Sequence, residues 1–244
     1  MPYQNISTLL ITGCSKGIGR ALALKFAEAG CRVYAVGRNQ VQMESLQAEA
    51  NSIKPIVADI TTTQGRVSIC TVLKNEPTLS VIHNAGISKS MSFENLEEDS
   101  LRQQFETNYF APLLLTKSLL PKLKGQRVLN ISSGSAVSAM AYKVPYCTSK
   151  GAMHHAIECL QVEYADQNIY FANLRPGMVD TSMQEVLRNE PVPSKEFYIQ
   201  AKNQGALIAP EIVADFAAWV MLKTENAEFS KHFWDVAEKS YQAQ

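Results

Sequence analysis

No run of apolar residues in this chain approaches the ~18 needed to span a bilayer. Net charge is missing as well: 23 Lys and Arg balance 23 Asp and Glu, and no Lys/Arg-rich run occurs. A chain balanced in this way has no electrostatic reason to seek nucleic acid or an anionic membrane. The N-terminus lacks a basic segment followed by an apolar one, so no signal peptide is read there, and the expected compartment is cytoplasmic. Cysteine is scarce. The five residues at 14, 31, 70, 147 and 159 are an odd number without a C-x-x-C pair, so neither a disulfide framework nor a zinc site is indicated. The adjacent His154 and His155 point to different faces of a helix and make no metal pair, so no metal is expected. Repeats, low-complexity tracts and linkers are absent too. With 244 residues, 46% of them hydrophobic, residues 1–244 read as one domain large enough to bury a core.

What is present is an alternation of strand-like and helix-like segments. Strands are expected at about 7–12, 32–37, 54–59, 79–84, 126–132, 169–175 and 231–236. Helices are expected at about 18–29, 40–50, 62–75, 97–121, 145–166 and 210–223. This order predicts a single-domain α/β fold, a doubly wound parallel sheet of Rossmann type with helices on both faces. Residues 178–209, with Pro191, Pro193 and Gly205, are the least regular part and read as a lid over a substrate.

The first expected strand runs into Thr12-Gly13-Cys14-Ser15-Lys16-Gly17-Ile18-Gly19, followed by a helix with Ile18, Leu22, Phe26 and Ala29 on one face and Gly30 at its end. Glycines between a strand and a helix let backbone approach a pyrophosphate, and the helix start offers free N–H groups. The spacing is G-x-x-x-G-x-G rather than the commoner G-x-G-x-x-G.

Tyr146 and Lys150 lie at i and i+4, about 5–6 Å apart at Cβ on one helical face. A phenol in water has a pKa of about 10. An ammonium one turn away favours the phenolate, lowers that pKa and eases proton transfer to a substrate oxygen. Ser133 lies thirteen residues upstream of Tyr146.

Thr12-Gly13-x-x-x-Gly17-Ile18-Gly19, Asn84-Ala85-Gly86, Asn108, Ser133, Tyr146-x-x-x-Lys150 and Arg175-Pro176-Gly177 occur in the order and spacing of the short-chain dehydrogenases/reductases. The chain resembles that family over essentially its whole length. Its segment Arg175-Pro-Gly-Met-Val-Asp-Thr-Ser-Met-Gln184, with Gln204-Gly205 and Pro210-Glu211, looks most like the sepiapterin reductase and benzil reductase branch. The resemblance implies a cofactor site of Gly13, Ser15, Lys16, Gly17, Ile18, Gly19, Arg38, Asp59, Ile60, Asn84, Ala85, Gly86, Tyr146, Lys150, Pro176, Gly177, Val179 and Thr181. Asp59 and Ile60 would border the adenine, and Thr181 would contact the carboxamide.

Folds that bind NAD place an acidic residue at the end of the second strand to hold the ribose 2′-hydroxyl. Here no acidic residue occurs between Glu28 and Glu44, and Arg38 stands where a guanidinium grips a 2′-phosphate, with Lys16 as a second cation. The expected cofactor is NADP(H).

The resemblance implies that hydride attacks a carbonyl carbon while Tyr146 protonates the oxygen, Ser133 holds that oxygen in line and Lys150 serves Tyr146 and the ribose. Ser132 is the neighbouring alternative to Ser133. Asn108 would position a water feeding protons to the lysine; otherwise it is an amide satisfying local backbone. Met183, with other Met and aromatic side chains, suits a flat carbonyl substrate such as an aromatic diketone or pterin. Asp235 either anchors such a substrate or caps the last strand. An NADPH-dependent carbonyl reductase is the leading reading, beside an alcohol dehydrogenase working oxidatively. A non-catalytic dinucleotide-binding protein on this fold is the third. The helices at 97–121 and 145–166 carry apolar residues on more than one face, including Ala152 and Cys159, which leads to an expected homodimer or homotetramer.

Overall fold

The computed structural model describes residues 6–230 and 233–238. Its strands are β1 (Thr8–Thr12), β2 (Arg32–Gly37), β3 (Ile53–Val57), β4 (Ser80–His83), β5 (Arg127–Ile131), β6 (Tyr170–Arg175) and β7 (Phe233–Asp235). Its helices are α1 (Gly17–Glu28), α2 (Gln40–Glu49), α3 (Thr63–Val72), α4 (Glu98–Phe105), α5 (Ala111–Leu119), α6 (Val144–Glu163), α7 (Ser182–Asn189), α8 (Lys195–Asn203), α9 (Pro210–Lys223) and α10 (Asn226–Phe229). The strands form one sheet in the order β3-β2-β1-β4-β5-β6-β7, with every pairing parallel. The chain starts at the centre, runs out to β3 and returns to β4 on the other side of β1. That reversal opens a crevice at the carboxyl ends of the strands, where sheets of this kind bind ligands. All seven strands fall where the alternation placed them; of the last expected segment, 231 and 232 lie outside the described residues.

Both faces of the sheet are covered because successive strand residues point to opposite sides. Leu9 and Ile11 join a core with Leu22 and Phe26 of α1 and Val213, Phe216 and Val220 of α9. Leu10, between them, joins a core with Ile69 of α3, Leu115 of α5 and Met153 and Ile157 of α6. Each such fully buried side chain contributes up to roughly 1.5–3 kcal/mol. Arg127, wholly buried at the start of β5, donates to the carbonyls of Val220, Met221 and Thr224 and so closes the end of α9.

Two expectations are corrected. The segment 97–121 is not one helix: α4 and α5 are separated by a π-helical turn, Glu106–Phe110, in which the Ala111 N–H reaches back to Glu106 O. Pro112 is the physical reason within reach, since it offers no N–H to the Asn108 carbonyl one turn earlier. The segment 178–209 is not irregular but carries α7 and α8, parted at Pro191 and Pro193. Its base is closed by Asp180 N donating to Ile208 O at 2.9 Å and Ile208 N to Met178 O at 2.9 Å.

Candidate active site

The glycine turn is built so that backbone meets backbone. A Cβ on Gly19 would lie 2.1 Å from Gly13 O, and Gly13 holds φ 76°, so neither position takes a side chain without rearrangement. Asn84, just past β4, clasps the turn: its Nδ2 donates to Thr12 O at 3.0 Å and Gly13 O at 3.1 Å. Thr12 Oγ1 accepts from the N–H groups of Asn84 and Ala85 at 3.1 and 3.2 Å. Lys16 precedes α1 with no side-chain cap, which leaves the first-turn N–H groups of that helix to an incoming anion. A pyrophosphate fits this cradle. Ile18 is half-buried against the core, Ser15 and Gly17 are half-buried, and Lys16 is exposed. Thr181, at the start of α7, comes within 3.1 Å of where a Gly17 Cβ would sit, so the 178–209 excursion begins against the same turn.

Arg38 follows β2 with its side chain 72% exposed, and its Nη1 lies 3.8 Å from Asp59 Oδ2. The acidic residue missing from the end of β2 is thus supplied across space by the end of β3. Burial opposes the charge of Asp59, but the bonds from Thr61 N and Oγ1 and the Arg38 guanidinium together hold its carboxyl below the usual range. Ile60 is buried in the core. Beyond β6, Pro176 is buried, Gly177 takes φ 74° and buried Val179 bridges to Ile208.

Ser133, Tyr146 and Lys150 converge. Tyr146 and Lys150 sit in the first two turns of α6, and the Ser133 hydroxyl stands beside the half-buried Tyr146 phenol. The adjacent serine faces elsewhere: Ser132 Oγ lies 3.4 Å from His154 Nδ1. Lys150 is buried and its Nζ donates to Ile131 O at 2.9 Å. Burial pushes the Lys150 ammonium down to about 8. The sequence expectation that Lys150 lowers the Tyr146 pKa is not met here. Burial pushes the phenol up, the Ser133 side chain is the opposing influence, and Lys150 does not enter; one of the three ammonium N–H groups goes to the Ile131 carbonyl.

Asn108 lies inside the π-helical turn and its amide is fully engaged. Nδ2 donates to Ile87 O at 2.9 Å and Ser149 Oγ at 3.0 Å, and Oδ1 accepts from Ile87 N at 2.9 Å. Gly86 stands between them, with a virtual Cβ 3.3 Å from Asn108 Oδ1 and 3.5 Å from Lys150 Nζ. Asn84-Ala85-Gly86 therefore links the glycine turn to the lysine. Met183 is half-buried in the first turn of α7. Asp235 is ion-paired with Arg175, and its Oδ1 accepts from Ala237 N at 3.0 Å, which is a strand-end capping arrangement.

Three residues near Tyr146 escaped the sequence reading. Lys143 is buried, donates to Ser88 Oγ at 2.9 Å and lies 3.9 Å from Glu190 Oε2. Its Nζ stands 5.6 Å from the centre of the Tyr146 ring and 5.4 Å from that of Tyr198. The only sequence signal was a cation three residues before the tyrosine. Tyr142 beside it holds φ 64°, a left-handed conformation costly for a bulky residue, fixed by Met91 N donating to Tyr142 O at 2.9 Å.

Away from this crevice, Tyr109, Leu113, Ala152, His155, Ala156, Cys159 and Leu160 line an apolar concavity on the outer surface of α5 and α6. Among the described residues no group of three His, Cys, Asp or Glu side chains could hold a metal ion, and no helix is long and apolar enough to cross a membrane.

Known proteins bear on this arrangement. The chain is 30% identical to L-xylulose reductase of Caenorhabditis elegans over 72% of each chain. It is 27% identical to benzil reductase ((S)-benzoin forming) of Bacillus cereus over 89% of this chain and 94% of that one. The crystal structure of the KRED1-Pglu enzyme, 23% identical, superposes with a TM-score of 0.85 over 94% of this chain and 99% of that one. Residues 7–191 match the short chain dehydrogenase family, and the chain belongs to it. It is an oxidoreductase of a family that acts on alcohol and ketone groups and binds a nicotinamide dinucleotide.

Proposed function

We propose that this short-chain dehydrogenase is an NADPH-dependent carbonyl reductase that acts on a ketone or diketone, with Tyr146 as the proton donor. The observation that carries the reading is the meeting of Ser133, Tyr146 and Lys150 next to Gly86, which Asn84 ties to the glycine turn. Gly13, Ser15, Lys16, Gly17, Ile18 and Gly19 would hold the pyrophosphate, Asp59 and Ile60 the adenine, and Arg38 the 2′-phosphate. Asn84, Ala85, Gly86, Tyr146, Lys150, Pro176, Gly177, Val179 and Thr181 would surround the nicotinamide end. When bound, the cofactor supplies the hydride.

The chain's own groups do the rest. Ser133 donates a hydrogen bond to the carbonyl oxygen and keeps it in line, a preorganised donor where negative charge develops. Tyr146 passes its proton to that oxygen. A phenol raised by burial holds its proton tightly in the ground state, so the transfer becomes favourable only as charge builds on the substrate. With its pKa at about 8, Lys150 is mostly cationic at neutral pH and stabilises the phenolate left behind. The Asn108 amide is spent on Ile87 and Ser149, so it fixes the Gly86–Ile87 segment against α6. The group we assign to holding a proton-relay water is its peptide carbonyl, which Pro112 leaves without the usual donor. Met183 is assigned to the substrate pocket, while Asp235 is held at the end of β7 by Arg175.

We also assign self-association, as a homodimer or homotetramer, to the apolar concavity on α5 and α6, and a cytoplasmic setting in which the free cysteines stay reduced. The test of the main reading is NADPH oxidation over a panel of aromatic diketones, quinones, pterins and steroid ketones. Turnover of at least one class is expected. Cofactor binding without oxidation across the whole panel would overturn it.

A further inference from the structure

The excursion over residues 178–209 brings to Lys143, whose Nζ lies 5.6 Å from the Tyr146 ring centre, a carboxylate that the reaction described above does not use. Glu190, at the end of α7, is buried, and its Oε1 accepts from Ser90 N at 2.9 Å. Its other oxygen, Oε2, is buried without a hydrogen-bond partner and lies 3.9 Å from Lys143 Nζ. Lys143 spends one donor on Ser88 Oγ, although an ammonium carries three. Ser90 Oγ, on the residue whose N–H binds Glu190, is likewise buried and unpartnered. Buried polar groups in native proteins are bonded as a rule, and a bare carboxylate oxygen is among the costliest exceptions.

We propose that Lys143 and Glu190 form a polar subsite that reads a hydroxyl group next to the reacting carbonyl, so that the substrate is a hydroxyketone. This rests on the carbonyl-reductase reading and narrows it. A hydroxyl both donates and accepts. Its O–H bonds Glu190 Oε2 while its lone pair takes an N–H from Lys143, and both unfilled groups are satisfied together. A second ketone oxygen only accepts and leaves the carboxylate bare; an alkyl group satisfies neither. An oxygen about 2.8 Å from each partner spans two atoms 3.9 Å apart. Lys143 Nζ lies 5.6 Å from the centre of the Tyr146 ring, so the subsite adjoins the side chain that protonates the carbonyl in this reading. The Tyr198 ring of α8 packs against the same Nζ, 5.4 Å from the ring centre.

The test compares 2-hydroxyacetophenone with propiophenone, which puts a methyl in place of the hydroxyl on the same skeleton. For the full-length chain with NADPH, kcat/KM for the hydroxyketone should exceed that for propiophenone by roughly ten- to a hundred-fold, the range for hydrogen bonds to charged groups. K143M and E190Q should each pull that ratio toward one, and so should K143M/E190Q, which leaves no buried charge unpaired. NADPH affinity, read by fluorescence titration, shows which variants are folded. A wild-type ratio near one overturns the subsite alone, as does parallel loss of both substrates in a variant that still binds NADPH. A wild type that reduces no ketone at all overturns the carbonyl-reductase reading and the subsite with it.

Discussion

Replacing Tyr146 by Phe separates the chemistry from the fold because only the phenolic oxygen, beside Ser133, is removed and the ring is kept. On the stability side, at most one hydrogen bond is lost, a net cost of no more than about 1 kcal/mol. For a domain of this size that lowers Tm by roughly 2–4 °C. On the catalytic side, the proposed proton donor to the carbonyl oxygen is lost. That typically costs about 10²–10⁴-fold, or roughly 2.7–5.5 kcal/mol of barrier. The two effects therefore differ several-fold in free energy, and a small Tm shift should accompany a near-complete loss of turnover. The assay is NADPH oxidation on whichever ketone the panel identifies, with the Kd for NADPH measured in parallel. Turnover above about a tenth of wild type, at unchanged cofactor affinity, would refute the assignment of Tyr146 as the acid.

Replacing Arg38 with Asp should weaken NADPH relative to NADH by about ten-fold, the low end for a guanidinium–phosphate contact because the side chain is largely exposed; an unchanged NADPH/NADH preference in equilibrium titration removes Arg38 from that role. Burial pushes the His83 imidazole down to about 4, so the fold keeps it neutral while an unfolded chain takes up a proton below about 6.5. The neutral form's contribution is complete above that value and is lost as pH falls from about 6.5 toward 4. His83→Gln should therefore flatten a loss of about 2 kcal/mol between pH 7 and pH 5 in urea denaturation, and an unaltered slope sinks the idea. Self-association should give at least twice the 27.0 kDa chain mass in light scattering at micromolar concentration. Cys159→Arg, in the α6 concavity, should shift it toward monomer; a wild-type monomer across that range rejects the interface.

The parts of this molecule legible in its sequence are those in which one local rule fixes both structure and chemistry. Strands buried on two faces read as short apolar runs, as in Leu9-Leu10-Ile11, whereas β3, with Lys54 and Val57 exposed, was legible from its place in the alternation. The glycine turn was legible because Gly13 and Gly19 sit where no side chain fits, and Tyr146 and Lys150 because four residues close one helical turn. What stayed hidden was decided by distance in space rather than along the chain. Pro112 announced a fault in a helix but not the π-helical turn that answers it, since the turn depends on Asn108 finding Ile87 and Ser149. The helices of 178–209 were masked by two prolines that punctuate the segment without dissolving it. Asp59 meets Arg38 from another strand, and Glu190 meets Lys143 from 47 positions away by residue number. The direction of the Tyr146 shift was misread for the same reason. Spacing names the neighbour one turn away, but burial is set by everything packed around the phenol, and here burial is the largest influence on it. Motif spacing thus names candidate reacting groups, whereas their protonation and the groups packed around them are properties of the folded surroundings.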